Sequence, residues 1–386
     1  MATEPIAEER RTSPVELLWD LVFVFAVTRV TTLLSRDLSW AGLGRALLVL
    51  ALVWWAWSAF VWAANAQDTA SPTLRLVLLL AMVLTFVAGL ALPQAFGDEA
   101  PVFAAAYAAV RFLHLALYAD ASRKGNASWA AIGGFATTVA IGMALLVAGS
   151  LAGSTARVVL WTLAAAIDYA GPAWLTRERL RGLQHVAVAH FAERYSLFVI
   201  ICLGESIVAI GVGASEQRFD AKLVAGVTLG LLITIALWWT YFDRFAAAAE
   251  ERLRGHDDPV LAAADAYSYL HLVLVAGIIV FAVGVKLAVH DVGAPLGDAP
   301  RLALCGGVAL YLLGHVAFEL RLVGTVGVEK LVAVAALLAL YAIGGGLAAL
   351  ALAAVVTAVL GAMCAVESVS ARRAEPRRAT AGRATG

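Results

Sequence analysis

Long apolar runs recur along the whole chain, broken by short clusters of charged residues, Gly, Pro and Ser. A helix crossing the apolar core of a bilayer needs about 20 residues, within a range of roughly 17–25. On that measure the pattern predicts twelve spans, at residues 15–34, 43–64, 74–92, 101–119, 130–149, 156–175, 195–213, 222–244, 268–289, 302–320, 331–346 and 348–367. Between the last two there is no polar loop, just Gly344-Gly345-Gly346. Backbone polar groups in lipid must be satisfied within their own segment, so every run is expected to be a helix.

The apolar pattern also repeats. Ala41-Gly42 and Ala225-Gly226 each precede a Trp-Trp pair, Trp54-Trp55 and Trp238-Trp239, at the same spacing. Leu74-Arg75-Leu76-Val77-Leu78 has a counterpart in Leu270-His271-Leu272-Val273-Leu274, and the fourth and tenth spans follow Pro101 and Pro300 and carry His114 and His315. Copies of six spans share one topology, related by an axis along the membrane normal. The expected fold is therefore all-α: a polytopic membrane protein of about 12 transmembrane helices in two parallel six-helix repeats. The expected divisions are a cytoplasmic N-terminal tail (1–13), the first repeat (14–176), a cytoplasmic linker (177–192), the second repeat (193–368) and a disordered basic tail (369–386).

Composition agrees. Of 386 residues, 62% are hydrophobic and 15% charged, against about a quarter charged in soluble domains. The 28 Lys+Arg balance 28 Asp+Glu, which argues against nucleic-acid binding, where a cationic excess is needed. Cys202, Cys305 and Cys364 lie in apolar runs without metal-site spacing, and Met1–Arg11 lacks the apolar stretch of a signal peptide. With the N-terminus inside, 19 basic residues fall in inner segments, 6 in outer loops and three inside spans. That bias places both termini in the cytoplasm. The expected partners are the bilayer and a small solute or ion.

Ionisable residues at membrane depth are costly and are by default functional candidates. Glu16 and Asp20, four apart, share a face at the start of the first span; they suit a cation or proton site, or a dipole-stabilised helix start. Glu205 lies deep in the seventh span, followed by Ser206, with Arg194 three turns away on its face and Glu193 beside it. Repeat alignment sets Arg29 opposite Glu205, which predicts a buried pair; such a pair also serves simply to lock two helices. Arg111, His114 and Tyr118 form a stripe in the fourth span; Tyr311, His315 and Glu319 form one in the tenth. These stripes fit a polar cavity or interhelical hydrogen bonding. Asp168 stands in the sixth span without an obvious local partner. There is no HExxH, phosphate loop or nucleophile elbow, so neither an enzyme nor a cofactor or metal is expected.

Pro14-x-Glu16-Leu17-x-x-Asp20-Leu21-Val22-Phe23-Val24-Phe25, with Glu193-Arg194-x-x-Leu197-Phe198-x-Ile200-Ile201-x-Leu203-Gly204-Glu205-Ser206-Ile207, resembles the bacterial low temperature requirement protein A family. The likeness runs from about residue 12 to 368. It implies a multi-pass plasma-membrane protein named for a growth phenotype in the cold. Its pattern carries onto Glu16, Asp20, Glu193, Arg194, Gly204, Glu205 and Ser206, while Arg29 departs from it. Three functions fit the residues: a proton- or cation-coupled secondary transporter with its site between the halves, an ion channel, and a structural or lipid-responsive membrane protein.

Overall fold

The computed structural model describes residues 12–65, 71–124, 129–175, 177, 187–215 and 217–383. Twelve helices follow one another among the described residues. They are α1 (Pro14–Arg36), α2 (Trp40–Asn65), α3 (Pro72–Gln94), α4 (Ala100–Arg123), α5 (Trp129–Ser150), α6 (Ser154–Ala170), α7 (Val188–Ala214), α8 (Ala221–Arg254), α9 (Pro259–His290), α10 (Asp298–Leu322), α11 (Val328–Gly346) and α12 (Ala349–Arg383). Local signals start them. Proline occupies the first turn of α1, α3, α4 and α9, where its missing N–H costs nothing. Asp220 and Asp258 cap α8 and α9 by accepting from Leu223 N and Leu261 N, at 2.8 and 3.1 Å.

Eleven of the twelve are long and apolar enough to cross a membrane. α6 has 17 residues of regular helix and continues as a π-turn over Gly171–Leu175. α11 closes in a 3-10 turn over Gly344–Gly346, and α12 starts separately at Ala349. α12 runs on past the last apolar residues into the basic segment, as far as Arg383. The expected N-terminal tail and linker fall largely outside the described residues.

The outward surface is that of a protein in lipid. On α3 the exposed side chains are Leu76, Leu79, Leu80, Val83, Phe86 and Leu90. They repeat at three- and four-residue steps, a continuous apolar stripe that water would reject. With the run of long apolar helices, this makes the chain an all-α polytopic membrane protein.

The chain divides into two compact units. The first comprises residues 1–205 and 249–272; the second comprises 206–248 and 273–386. In the first, α1 packs on α2 and α3, α3 on α4, α4 on α5, α5 on α6, and α2 on α4 and α6. Its centre is α2, with 78% of its apolar window buried, including Trp54, Trp55 and Trp57. In the second, α8 packs on α12, α10 on α11 and α11 on α12. There α9 and α10 meet backbone to backbone along Gly277, Gly284, Gly307 and Gly314: a Cβ on Gly284 would sit 2.3 Å from Leu304 N, and one on Gly307 2.4 Å from Phe281 N. Small residues let membrane helices approach this closely.

Candidate functional site

The charged candidates of the first unit converge. α1 opens with Ser13-Pro14-Val15-Glu16, the sequence of a capping box. Glu16 Oε2 accepts from the Ser13 backbone N–H at 2.9 Å and from its hydroxyl at 2.8 Å. One turn on, the same face carries Asp20. α7 presents a matching four-residue pair, His190 and Arg194, towards these two carboxylates. Arg194 bridges them, with Nη1 3.0 Å from Glu16 Oε1 and Nη2 2.6 Å from Asp20 Oδ1. His190 Nε2 lies 3.2 Å from Glu16 Oε1. Trp57 Nε1, from α2, donates to Asp20 Oδ1 at 2.7 Å. All four ionisable side chains are at most 1% exposed, and Asp20 Oδ2 has no hydrogen-bond partner among the described residues.

The charge count decides what such a cluster can do. Two carboxylates face one guanidinium, so with His190 neutral the group carries one net negative charge. An uncompensated charge in a medium of low dielectric costs several kcal/mol. One proton, on His190 or on a carboxyl group, restores neutrality.

A second buried pair is already neutral. Arg111 Nη2 donates to Asp168 Oδ1 at 2.7 Å, tying α4 to α6 with both side chains fully buried. Asp168 thus has its partner on another helix.

Beside the charge cluster lies an aromatic cavity of about 50 Å³. Its wall includes Trp55, Ser58, Ala59 and Trp62 of α2, His114 and Tyr118 of α4, and Phe135 of α5. Pro172, Val260, Ala264, Ser268 and Tyr269 complete it. A hydroxyl cluster forms one side: Ser58 Oγ is 2.6 Å from Tyr195 OH and 3.1 Å from Ser268 Oγ, and Trp62 Nε1 donates to Ser268 Oγ at 2.8 Å. The charge cluster adjoins the cavity along the chain: Trp57 of the cluster precedes Ser58 of the wall on α2, and Arg194 precedes Tyr195 on α7, whose hydroxyl bonds to Ser58 and Ser268 of the wall. Trp57 also packs on Tyr195, their ring centroids 4.9 Å apart.

Other expected site residues go elsewhere. Arg29 does not reach Glu205. One residue is a 100° step around a helix, so α1 turns Thr28 towards α7, and its hydroxyl meets Glu205 Oε2 at 2.5 Å. Arg29 lies back over the Phe25 ring instead, at 5.8 Å. Glu193 is exposed and accepts from Thr12 N and Oγ1, at 3.2 and 2.8 Å, outside the cluster. Ser206 is buried, and its hydroxyl has no hydrogen-bond partner among the described residues.

In the second unit the stripe on α10 separates into different surroundings. Tyr311 OH donates to Leu237 O at 2.8 Å, His315 sits among Tyr241, Phe245 and Tyr311, and Glu319 pairs with Lys330 at 2.8 Å. Lys330 also reaches Glu367, at 2.5 Å.

His190, Lys330 and Glu367 were not among the expected site residues, nor were the serines and tryptophans of the cavity. A four-residue step back from Arg194 points to His190, as the same step joins Glu16 to Asp20. No comparable spacing marks Ser58 and Ser268, which lie on helices far apart in the chain.

No solved structure matches the chain. It is 32% identical, over 315 residues, to the uncharacterized protein RA0937 of Rhizobium meliloti (strain 1021), covering 80% of this chain and 76% of that one. Residues 11–365 match the family described as bacterial low temperature requirement A protein. That span takes in the helices of the charge cluster, of the cavity and of most of the second unit, and the chain belongs to the bacterial low temperature requirement A protein family.

Proposed function

We propose that this protein is a proton-coupled secondary transporter of a small solute in the bacterial inner membrane. One observation carries the reading: the buried group of Glu16, Asp20, His190 and Arg194 is one positive charge short. A group neutral in its protonated form and strained when deprotonated is suited to taking up and releasing a proton in a membrane. Coupling to a solute has a physical route. Protonation changes what Arg194 and Trp57 must hold; their neighbours are Tyr195 and Ser58, and Tyr195 OH hydrogen-bonds to Ser58 and Ser268 of the cavity wall. No catalytic role is proposed.

The placement of the site fits the orientation. Cluster and cavity are built from the first turns of α1, α7 and α9 and the last turns of α2, α4 and α6. In a bundle of alternating spans these lie at one end, the end that the 19-to-6 bias of basic residues sets in the cytoplasm. Both termini are on that side, so a reporter fused after Gly386 is expected to read cytoplasmic.

Similar packing supports the two-repeat reading. In the first half α2 meets α6, α4 meets α5 and α5 meets α6; in the second, α8 meets α12, α10 meets α11 and α11 meets α12. Tyr107 of α4 donates to Leu52 O of α2, as Tyr311 of α10 does to Leu237 O of α8.

Proteoliposomes enclosing a pH-sensitive dye test the function when screened against solutes. The expected result is solute-dependent proton movement by the wild type that is lost in Asp20→Asn, with the variant still folded and inserted. Proton movement unchanged in Asp20→Asn contradicts the reading. Single-channel steps in planar bilayers would replace it by a channel.

A further inference from the structure

We propose that the aromatic cavity of the first unit binds an uncharged, planar aromatic solute bearing one N–H or O–H group, of the indole or phenol class. Its transport role rests on the reading above; its binding does not.

Shape and surface point to such a ligand. Six of the twelve lining side chains are rings: Trp55, Trp62, His114, Tyr118, Phe135 and Tyr269. Small-molecule sites are mostly apolar with a few fixed polar groups, and this lining has that character. Rings arranged about an open space offer the offset and edge contacts that aromatic partners prefer.

Charge narrows the class. None of the lining residues is Asp, Glu, Lys or Arg. The buried acid of α6, Asp168, is already paired with Arg111. A charged solute would therefore lose its hydration without gaining a counter-charge.

Trp55 Nε1 and the ring nitrogens of His114 are left to recognise the solute. The hydroxyls of Ser58, Ser268 and Tyr195 bond to one another, and Tyr269 OH donates to Tyr169 O at 2.9 Å. His114 is fully buried, and neither of its ring nitrogens has a hydrogen-bond partner among the described residues. Polar atoms so buried are normally bonded. A neutral imidazole offers one donor and one acceptor, and a solute N–H or O–H answers the acceptor.

The backbone marks the same place. Two π-helical stretches occur among the described residues, Gly171–Leu175 and Ala264–Leu270. Both line this cavity, through Pro172 on one side and Ala264, Ser268 and Tyr269 on the other. π-Helical insertions sacrifice regular bonding and occur frequently at functional sites.

Titration calorimetry of the purified full chain in detergent, with indole, phenol and choline as probes, tests the proposal. Indole and phenol are expected to bind and choline not to. His114→Ala should weaken indole binding about tenfold, the worth of one buried hydrogen bond. Ala59→Phe, which fills the cavity, should abolish it and carries the test if His114→Ala fails to fold. Asp20→Asn should still bind indole, at an affinity shifted by the coupling, while losing solute-dependent proton movement, so that failure of the proton site and failure of the solute site are distinguishable. Binding of choline in place of indole, which an aromatic cage for cations would give, overturns the proposal. So does an absence of indole and phenol binding, or indole binding unchanged in folded Ala59→Phe.

Discussion

The buried ion pairs differ in charge balance, and that difference predicts how each responds to mutation. Arg111–Asp168 is a closed one-to-one pair between α4 and α6. Removing one partner strands a buried charge, at a cost of about 3–5 kcal/mol, whereas replacing both by apolar residues of similar size is close to neutral. Arg111→Met is thus expected to lower the thermal midpoint in detergent sharply, and Asp168→Leu added to it should restore most of the loss. A double variant as unstable as the single one would show that the pair does more than hold helices together. The cluster at Arg194 is unbalanced instead. Asp20→Asn removes its excess negative charge and should leave the fold intact, while Arg194→Met leaves two carboxylates together and should not. Residue types in the sequence were enough to find Glu16, Asp20 and Arg194. The Arg29–Glu205 pair was misread because a repeat alignment fixes a helix position to within a residue, and one residue turns a side chain through 100°.

Apolar run length made the helices legible almost throughout, since no other element satisfies its backbone in lipid. The structure added what length does not encode. The two π-helical stretches, Gly171–Leu175 and Ala264–Leu270, depend on how α6 and α9 pack and leave no periodic trace in an apolar run. The Trp-Trp pairs behave differently despite their shared register. Trp54 and Trp55 are buried, whereas Trp238 and Trp239 are each 43% exposed. The α9–α10 crossing was open to a sequence reading, because Gly277/Gly284 and Gly307/Gly314 are both seven apart, two helical turns. It carries a prediction at this scale. Gly307→Leu places a side chain against the backbone of Phe281, and overpacking of this kind costs roughly 1–3 kcal/mol or more. A lower thermal midpoint is expected, beside an unchanged one for Gly361→Leu, where a Cβ meets nothing within 4 Å. Equal midpoints would contradict the close approach.

At the scale of the molecule, the composition says membrane and the helices say polytopic, but a net charge of zero says nothing about where charge is buried. The functional reading depends on one local imbalance, Glu16 and Asp20 against Arg194, with His190 alongside. Its most direct test is a potentiometric count of protons bound by purified wild type and by Asp20→Asn. The range is between about pH 9 and pH 5, above the titration of ordinary ion-paired carboxylates. An exchangeable proton at the cluster predicts that the wild type takes up about one proton more per chain than the variant across that range. Equal uptake would mean that the cluster exchanges no proton over this range, and would contradict proton coupling at this site.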